Sequence, residues 1–295
     1  MDSCLKVVLV LRPDVFEAIQ LQKKNAVLEM HTHLIEWTTT YKKYRTSQLF
    51  AFTDKLLSSQ QDDVLAIGEA WRSYFPFEMK SRREGVGADN PFIVLLRHSF
   101  YKPRDVVQYL GLMKEEYESR ELGSRQHFGP EVFTGKDAPA DLRDLSKEIR
   151  KKYSRYLLQE IEDQTRFYYS QSEWQSFKDF NDGYLSANID KERLTFSYDS
   201  FVTAHAQFDD FASKNGMDLP QSFKTADSLL QFMFDLNVIG YHAERVFSDG
   251  STRYFTNYSF RQRSSANLKP KLPTGSDHSY VMHYGVARAL FTDLQ

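Results

Sequence analysis

Two arginines stand where this sequence could aim a cation at a phosphate. Arg12 directly ends the apolar run from Leu5 to Leu11. Arg104 follows Pro103, whose fixed φ suits a first helical turn, so the arginine projects at a set angle. At the tip of a buried strand or the start of a lid helix, a guanidinium can read a γ-phosphate through charge-assisted hydrogen bonds. The plainer alternatives are an exposed strand end at Arg12 and a solvated arginine on an ordinary proline-started helix at Arg104. Spacing alone leaves both alternatives open.

A third set of cations lies near the end of the chain. Arg245, Arg253, Arg261, Arg263, Lys269 and Lys271 have only Asp249 among them as a carboxylate. Such a segment could touch nucleic-acid phosphates, or dock on protein. Docking is the expectation, because the helix that would read a groove, Thr225 to Val238, carries Asp227 and Asp235 and no Lys or Arg.

Other chemistries lack their residues. A phosphate-binding loop needs G-x-x-x-x-G-K-[ST], so that backbone amides and a lysine surround the phosphates, and no such string occurs. Gly85-Val86-Gly87 has no third glycine to complete a dinucleotide loop. His31 and His33 have the spacing of a strand metal pair but no evident third ligand, and read as surface histidines. No G-x-S-x-G elbow or Ser-His-Asp order supports hydrolysis. Glu115 with Glu116, and Asp209 with Asp210, are helical neighbours that point apart. No catalytic residue and no metal site is assigned.

The elements that must position these groups read as mostly helical. Leu5 to Leu11 is a buried-strand pattern with no second strand nearby, so it is expected to pair with another chain or to begin in the middle of an α/β domain. Helical spacing runs from Tyr41 to Leu57, Val64 to Tyr74, Pro91 to Phe100 and Asp105 to Arg120, with Ser81 to Asn90 as a loop. Three glycines and two prolines in Glu121 to Asp141 mark the clearest boundary. Beyond it come helices over Leu142 to Tyr169, Trp174 to Leu185, Ser200 to Ser213 and Thr225 to Val238. Asp249-Gly250 between two alternating runs predicts a hairpin over Val238 to Phe247 and Arg253 to Phe260. Gln262 to Ser279 reads as a connector and Val281 to Leu294 as a short closing helix. Helix, helix, hairpin is the order of a winged helix-turn-helix.

The bulk numbers agree with a globular intracellular protein. The 295 residues are 41% hydrophobic and 26% charged, enough for two ordinary domains. The net charge of −2 does not advertise nucleic acid or membrane as a partner of the whole chain. A lone Cys4 excludes internal disulfides and suits a reducing, cytoplasmic setting, and no apolar run is long enough to span a membrane.

Strings along nearly the whole chain resemble a bacterial P-loop ATPase family often labelled FunZ-like. They are Val10-Leu11-Arg12-Pro13-Asp14-Val15-Phe16, Glu36-Trp37-Thr38-Thr39 with Tyr44-Arg45, Asp54-Lys55-Leu56-Leu57, and Leu96-Arg97-His98-Ser99-Phe100-Tyr101-Lys102-Pro103-Arg104-Asp105. The block Tyr153 to Tyr169 with Glu160-Ile161-Glu162-Asp163-Gln164 continues the series. Leu230-Gln231-Phe232 with Leu236-Asn237-Val238-Ile239, and His283-Tyr284-Gly285-Val286-Ala287-Arg288-Ala289-Leu290, complete it. That family is similar to the STAND and AAA+ classes, with relatives in phage defence or signalling. The resemblance implies the end of an α/β P-loop domain at 1–60, a helical lid at 61–140, and a helical and winged-helix domain with a β-hairpin wing at 141–295. It implies Arg12 as a first nucleotide sensor and Arg104 as a lid sensor. The phosphate loop and metal-binding acidic strand of the family would precede Met1. ATP and Mg would therefore be held only once that half is supplied, and the expected partner is the missing ATPase half or a second copy.

Overall fold

A computed structural model describes residues 16, 19–31, 35–80, 88–136, 138–246, 250, 252–262 and 269–291. The expected strand Leu5 to Leu11, Arg12, His33, Gly85 to Gly87, Asp249 and Arg263 lie outside the described residues. The described chain is mostly helical, with two small antiparallel sheets.

Among the described segments come α1 (Lys24–His31) and then α2 (Gln48–Ser58). Helix α2 starts where the Ser47 hydroxyl accepts from the Phe50 amide at 3.2 Å. The helix expected over Val64 to Tyr74 is only α3 (Glu69–Tyr74). Val64 is fully exposed and Gly68, at φ +95°, turns the chain into the helix. The capping group comes from outside the segment: buried Asp54 of α2 accepts from the amides of Gly68 and Trp71, both at 2.7 Å. Replacing Asp54 by Ala should cost about 2 kcal/mol, measured as a lower denaturant midpoint. A shift of a few tenths would show that α3 needs no cap.

That cap seats Trp71 in an aromatic core, stacked on Phe75 at 4.2 Å and edge-on to Phe92 at 5.2 Å. Strands β1 (Met79–Lys80) and β2 (Ala88–Asp89) make a short antiparallel pair. Strand β2 falls inside the stretch Ser81 to Asn90, expected to be a loop throughout. Asn90 then caps α4 (Pro91–His98), its side chain accepting from the Phe92 amide at 3.0 Å. Proline at the first turn opens both α4 and α5 (Pro103–Ser119), as the sequence predicts. The glycine- and proline-bearing stretch after α5 is irregular, yet its Val132 and Phe133 are buried in the common core.

The long helix α6 (Leu145–Tyr168) buries Ile149, Tyr153, Leu157 and Ile161 along one face. It leads into α7 (Gln171–Gly183), β3 (Thr195–Ser197), α8 (Tyr198–Lys214) and α9 (Ala226–Asp235). Ser170, Ser197 and Thr225 each cap the helix that follows. The hairpin is β4 (Ile239–Val246) with β5 (Thr252–Tyr258), in register from Gly240 opposite Tyr258 to Val246 opposite Thr252. A single turn, α10 (Ser259–Gln262), follows.

The end of the chain differs from expectation. Val281 lies in a strand, β6 (Ser279–Met282), and the closing helix α11 (Tyr284–Leu290) is shorter than predicted. Four alternating residues are too short a run to stand out from a connector. Strand β6 inserts between β3 and β4, giving the order β3-β6-β4-β5. Helix α11 lies close against α6 because Gly285 has no side chain; a Cβ there would meet Leu157 Cδ1 at 2.6 Å.

Candidate functional site

The segment Arg97 to Asp105, from the end of α4 into the start of α5, is where two of the singled-out cations, Arg104 and Arg261, are held. It turns sharply because Tyr101 adopts φ +59°, a left-handed conformation that is costly for a bulky residue. Two side chains fix the turn. The buried Asp105 carboxylate accepts from the amides of Phe100 at 2.8 Å and Lys102 at 3.3 Å, and the Tyr156 hydroxyl donates to it at 3.3 Å. Burial outweighs these donors and raises the Asp105 pKa. The second fixture is Arg261, whose guanidinium donates to the Tyr101 hydroxyl at 2.5 Å.

Arg261 therefore points inward. Its guanidinium carbon lies 4.8 Å from the ring centre of Tyr101, 5.6 Å from those of Tyr258 and Phe260, and 5.8 Å from that of Tyr41. Burial raises the Tyr101 phenol far above its ordinary pKa, so the phenol stays neutral beside the cation. Of the six cations in the basic segment, Arg261 is thus committed to the fold. Lys269 and Lys271 are exposed. Arg245 and Arg253 are register partners across the hairpin, where backbone alone is described. Sequence reasoning missed this cage because its rings are scattered from Tyr41 to Phe260.

Arg104 sits in the first turn of α5 and forms an ion pair with Glu160 of α6. The arginine side chain remains 63% exposed while that of Glu160 is 11% exposed. The pair is anchored on the carboxylate side and open on the cation side. At the end of α4, Arg97 is paired with buried Asp89 at 2.8 Å and lies over the Tyr41 ring. His98 packs on Tyr284, and the His283 ring meets Phe100 at 4.7 Å. The segments around Arg104, Glu160 and His283, far apart along the chain, thus meet at one turn. Arg12 lies outside the described residues, so its distance from Arg104 is not defined.

Elsewhere the chemistry is thin. Among the described residues no group of three or more His, Cys, Asp or Glu side chains could hold a metal ion. Also among them, no helix is long and apolar enough to cross a membrane. An open depression between β3, β4 and β6 brings Ser279 Oγ within 3.4 Å of His242 Nδ1. That is long for a nucleophile and its base, and among the described residues no hydrogen bond or ion pair orients the imidazole from a carboxylate. Burial lowers the His242 pKa. In comparison with known proteins, no family model, no curated protein and no solved structure matches this chain.

Proposed function

We propose that this chain is the nucleotide-sensing, regulatory and oligomerising half of a P-loop ATPase, serving in phage defence or signalling, with the phosphate loop and its ATP and Mg on another segment. The observation that supports this reading most directly is the Arg104–Glu160 pair. Arg104 is fixed in direction by Pro103 and the Asp105 cap, held by one buried carboxylate, and otherwise open to solvent. A γ-phosphate brought to that face offers a stronger anion than a single carboxylate and would draw the guanidinium across. The exchange would release Glu160 and so report nucleotide state to α6.

Under this reading α8, α9 and the hairpin form a winged-helix end that docks on protein. The inward arginine and the acidic character of α9 favour docking over reading DNA. The chain alone is expected to turn over no ATP. With a polypeptide that supplies the phosphate loop, turnover should appear and fall roughly tenfold or more in Arg104→Ala, the direction expected on losing a transition-state cation. ATP hydrolysis by the chain alone, abolished by a substitution within it, would sink the reading. So would an active assembly indifferent to Arg104→Ala.

A further inference from the structure

Helix α6 carries cations on two sides, and they are treated differently. On one side Lys152 is paired with Glu116 at 2.6 Å, and near the helix end Arg166 is paired with Glu162. On the side facing α11, Lys147, Lys151 and Arg155 recur every fourth residue and have no hydrogen-bond or ion-pair partner among the described residues. They share that face over about 12 Å of helix. Arg288 of α11 closes the group from across a cleft of about 150 Å³. Among the described residues Glu148 is the only carboxylate that lines it, and Leu158 and Ala289 supply apolar lining.

Four cations against one carboxylate is the reverse of the balance of a chain with net charge −2. Holding like charges together in a concave, partly apolar place is unfavourable unless an anion joins them. Arg288 is already oriented: its guanidinium donates to the Tyr284 hydroxyl at 2.9 Å, and its Nε is buried with no partner. The close approach permitted by Gly285 brings this fork against α6. A planar fork at one wall and lysines at the other suit an anion with several oxygens rather than a carboxylate. The volume equals that of roughly five waters at ~30 Å³ each, which suits a compact group and not a tracked polymer.

We propose that the cleft between α6 and α11 is a binding site for a small diphosphate-bearing ligand. The assignment is independent of the ATPase reading, since it uses different residues and its test uses no nucleotide. The measurement is isothermal titration of the full chain with inorganic pyrophosphate at low and moderate salt. Binding should be saturable, weaken with salt, and drop at least tenfold in a Lys151→Gln/Arg155→Gln variant. Arg155 is exposed and Lys151 half-buried, and neither side chain has a hydrogen-bond or ion-pair partner among the described residues, so the thermal melt should be little changed. Lys224→Gln, between α8 and α9, should bind like the parent. Orthophosphate should compete more weakly than pyrophosphate. No binding at millimolar pyrophosphate and low salt would overturn the proposal. Equal binding by the double variant would overturn it as well. So would tight binding of duplex DNA lost in the double variant and not displaced by pyrophosphate, which would assign the face to a polymer instead.

Discussion

Arg261→Ala should lower the free energy of unfolding by about 3–4 kcal/mol. A desolvated cation over aromatic faces contributes on the order of 2 kcal/mol. Its loss also removes the hydrogen-bond partner of the Tyr101 hydroxyl, which costs about 1–3 kcal/mol in a buried setting. The truncation opens a gap between Tyr41, Tyr101, Tyr258 and Phe260 as well. The check is a urea titration, in which the midpoint should fall with the slope unchanged. Arg261→Lys keeps the charge but not the planar fork and should recover less than half of the loss. A loss below about 1 kcal/mol would mean that Tyr101 holds its left-handed conformation without the arginine. The same variant bears on the basic segment. If the wing docks on protein, fluorescence anisotropy should find negligible binding to duplex DNA in both parent and variant at any salt concentration.

The local signals in this sequence were strong, and they were carried by helix starts. Asn90-Pro91, Lys102-Pro103, Ser170, Ser197 and Thr225 each satisfy or bypass amides that a helix leaves unpaired; the expected starts of α4, α5, α8 and α9 fall within a residue or two of the observed ones, while α7 begins at Gln171 rather than at the expected Trp174. Asp-Gly with alternation on both sides found the hairpin for a similar reason. What was not readable depended on distant partners. Helix α3 is short because its cap is Asp54, in the preceding helix. Strand β6 exists because β3 and β4 leave a place between them, which no local pattern of four residues announces.

The same distinction governs the candidate sites. Arg104 was found from Pro103, but its counter-ion Glu160 lies far along the chain and only packing of α5 on α6 brings the two together. Arg261 was one of six cations expected to touch nucleic acid or a protein partner. Its burial follows from the ring of Tyr101, itself placed by an unusual backbone angle. The cleft on α6 was hidden differently. Its helix mixes Lys, Arg, Glu and Asp so evenly that the sequence offered no second basic surface, and the unpaired stripe emerges only once Glu116 and Glu162 have taken their partners. In each case the residue type was visible and its pairing was not.

Acidification should weaken this fold steeply, and much of the effect should trace to His283. The imidazole is buried at the start of α11, against Phe100 and Tyr258, where its Nε2 approaches the Ser99 carbonyl at 3.3 Å. Its Nδ1 has no hydrogen-bond partner among the described residues. Burial pushes its pKa down to about 3, and the nearby Arg261 charge acts in the same direction. In the unfolded chain the ordinary value is about 6.5. Between these values the unfolded state binds a proton that the folded state refuses. Stability therefore rises with pH through that window, is fully present above it, and is lost as pH falls. One proton corresponds to about 1.4 kcal/mol per pH unit, so moving from pH 6.5 to 4.5 should cost roughly 2–3 kcal/mol through this residue. Carboxylates titrate in the same range, so the comparison must be differential. His283→Gln keeps a donor for the Ser99 carbonyl and cannot take up the proton. It should be less stable than the parent at pH 7, from lost packing, yet lose less on acidification. Urea midpoints for both proteins at pH 7 and pH 4.5 decide it: equal losses for parent and variant would show that the buried ring is not what makes the fold sensitive to acid.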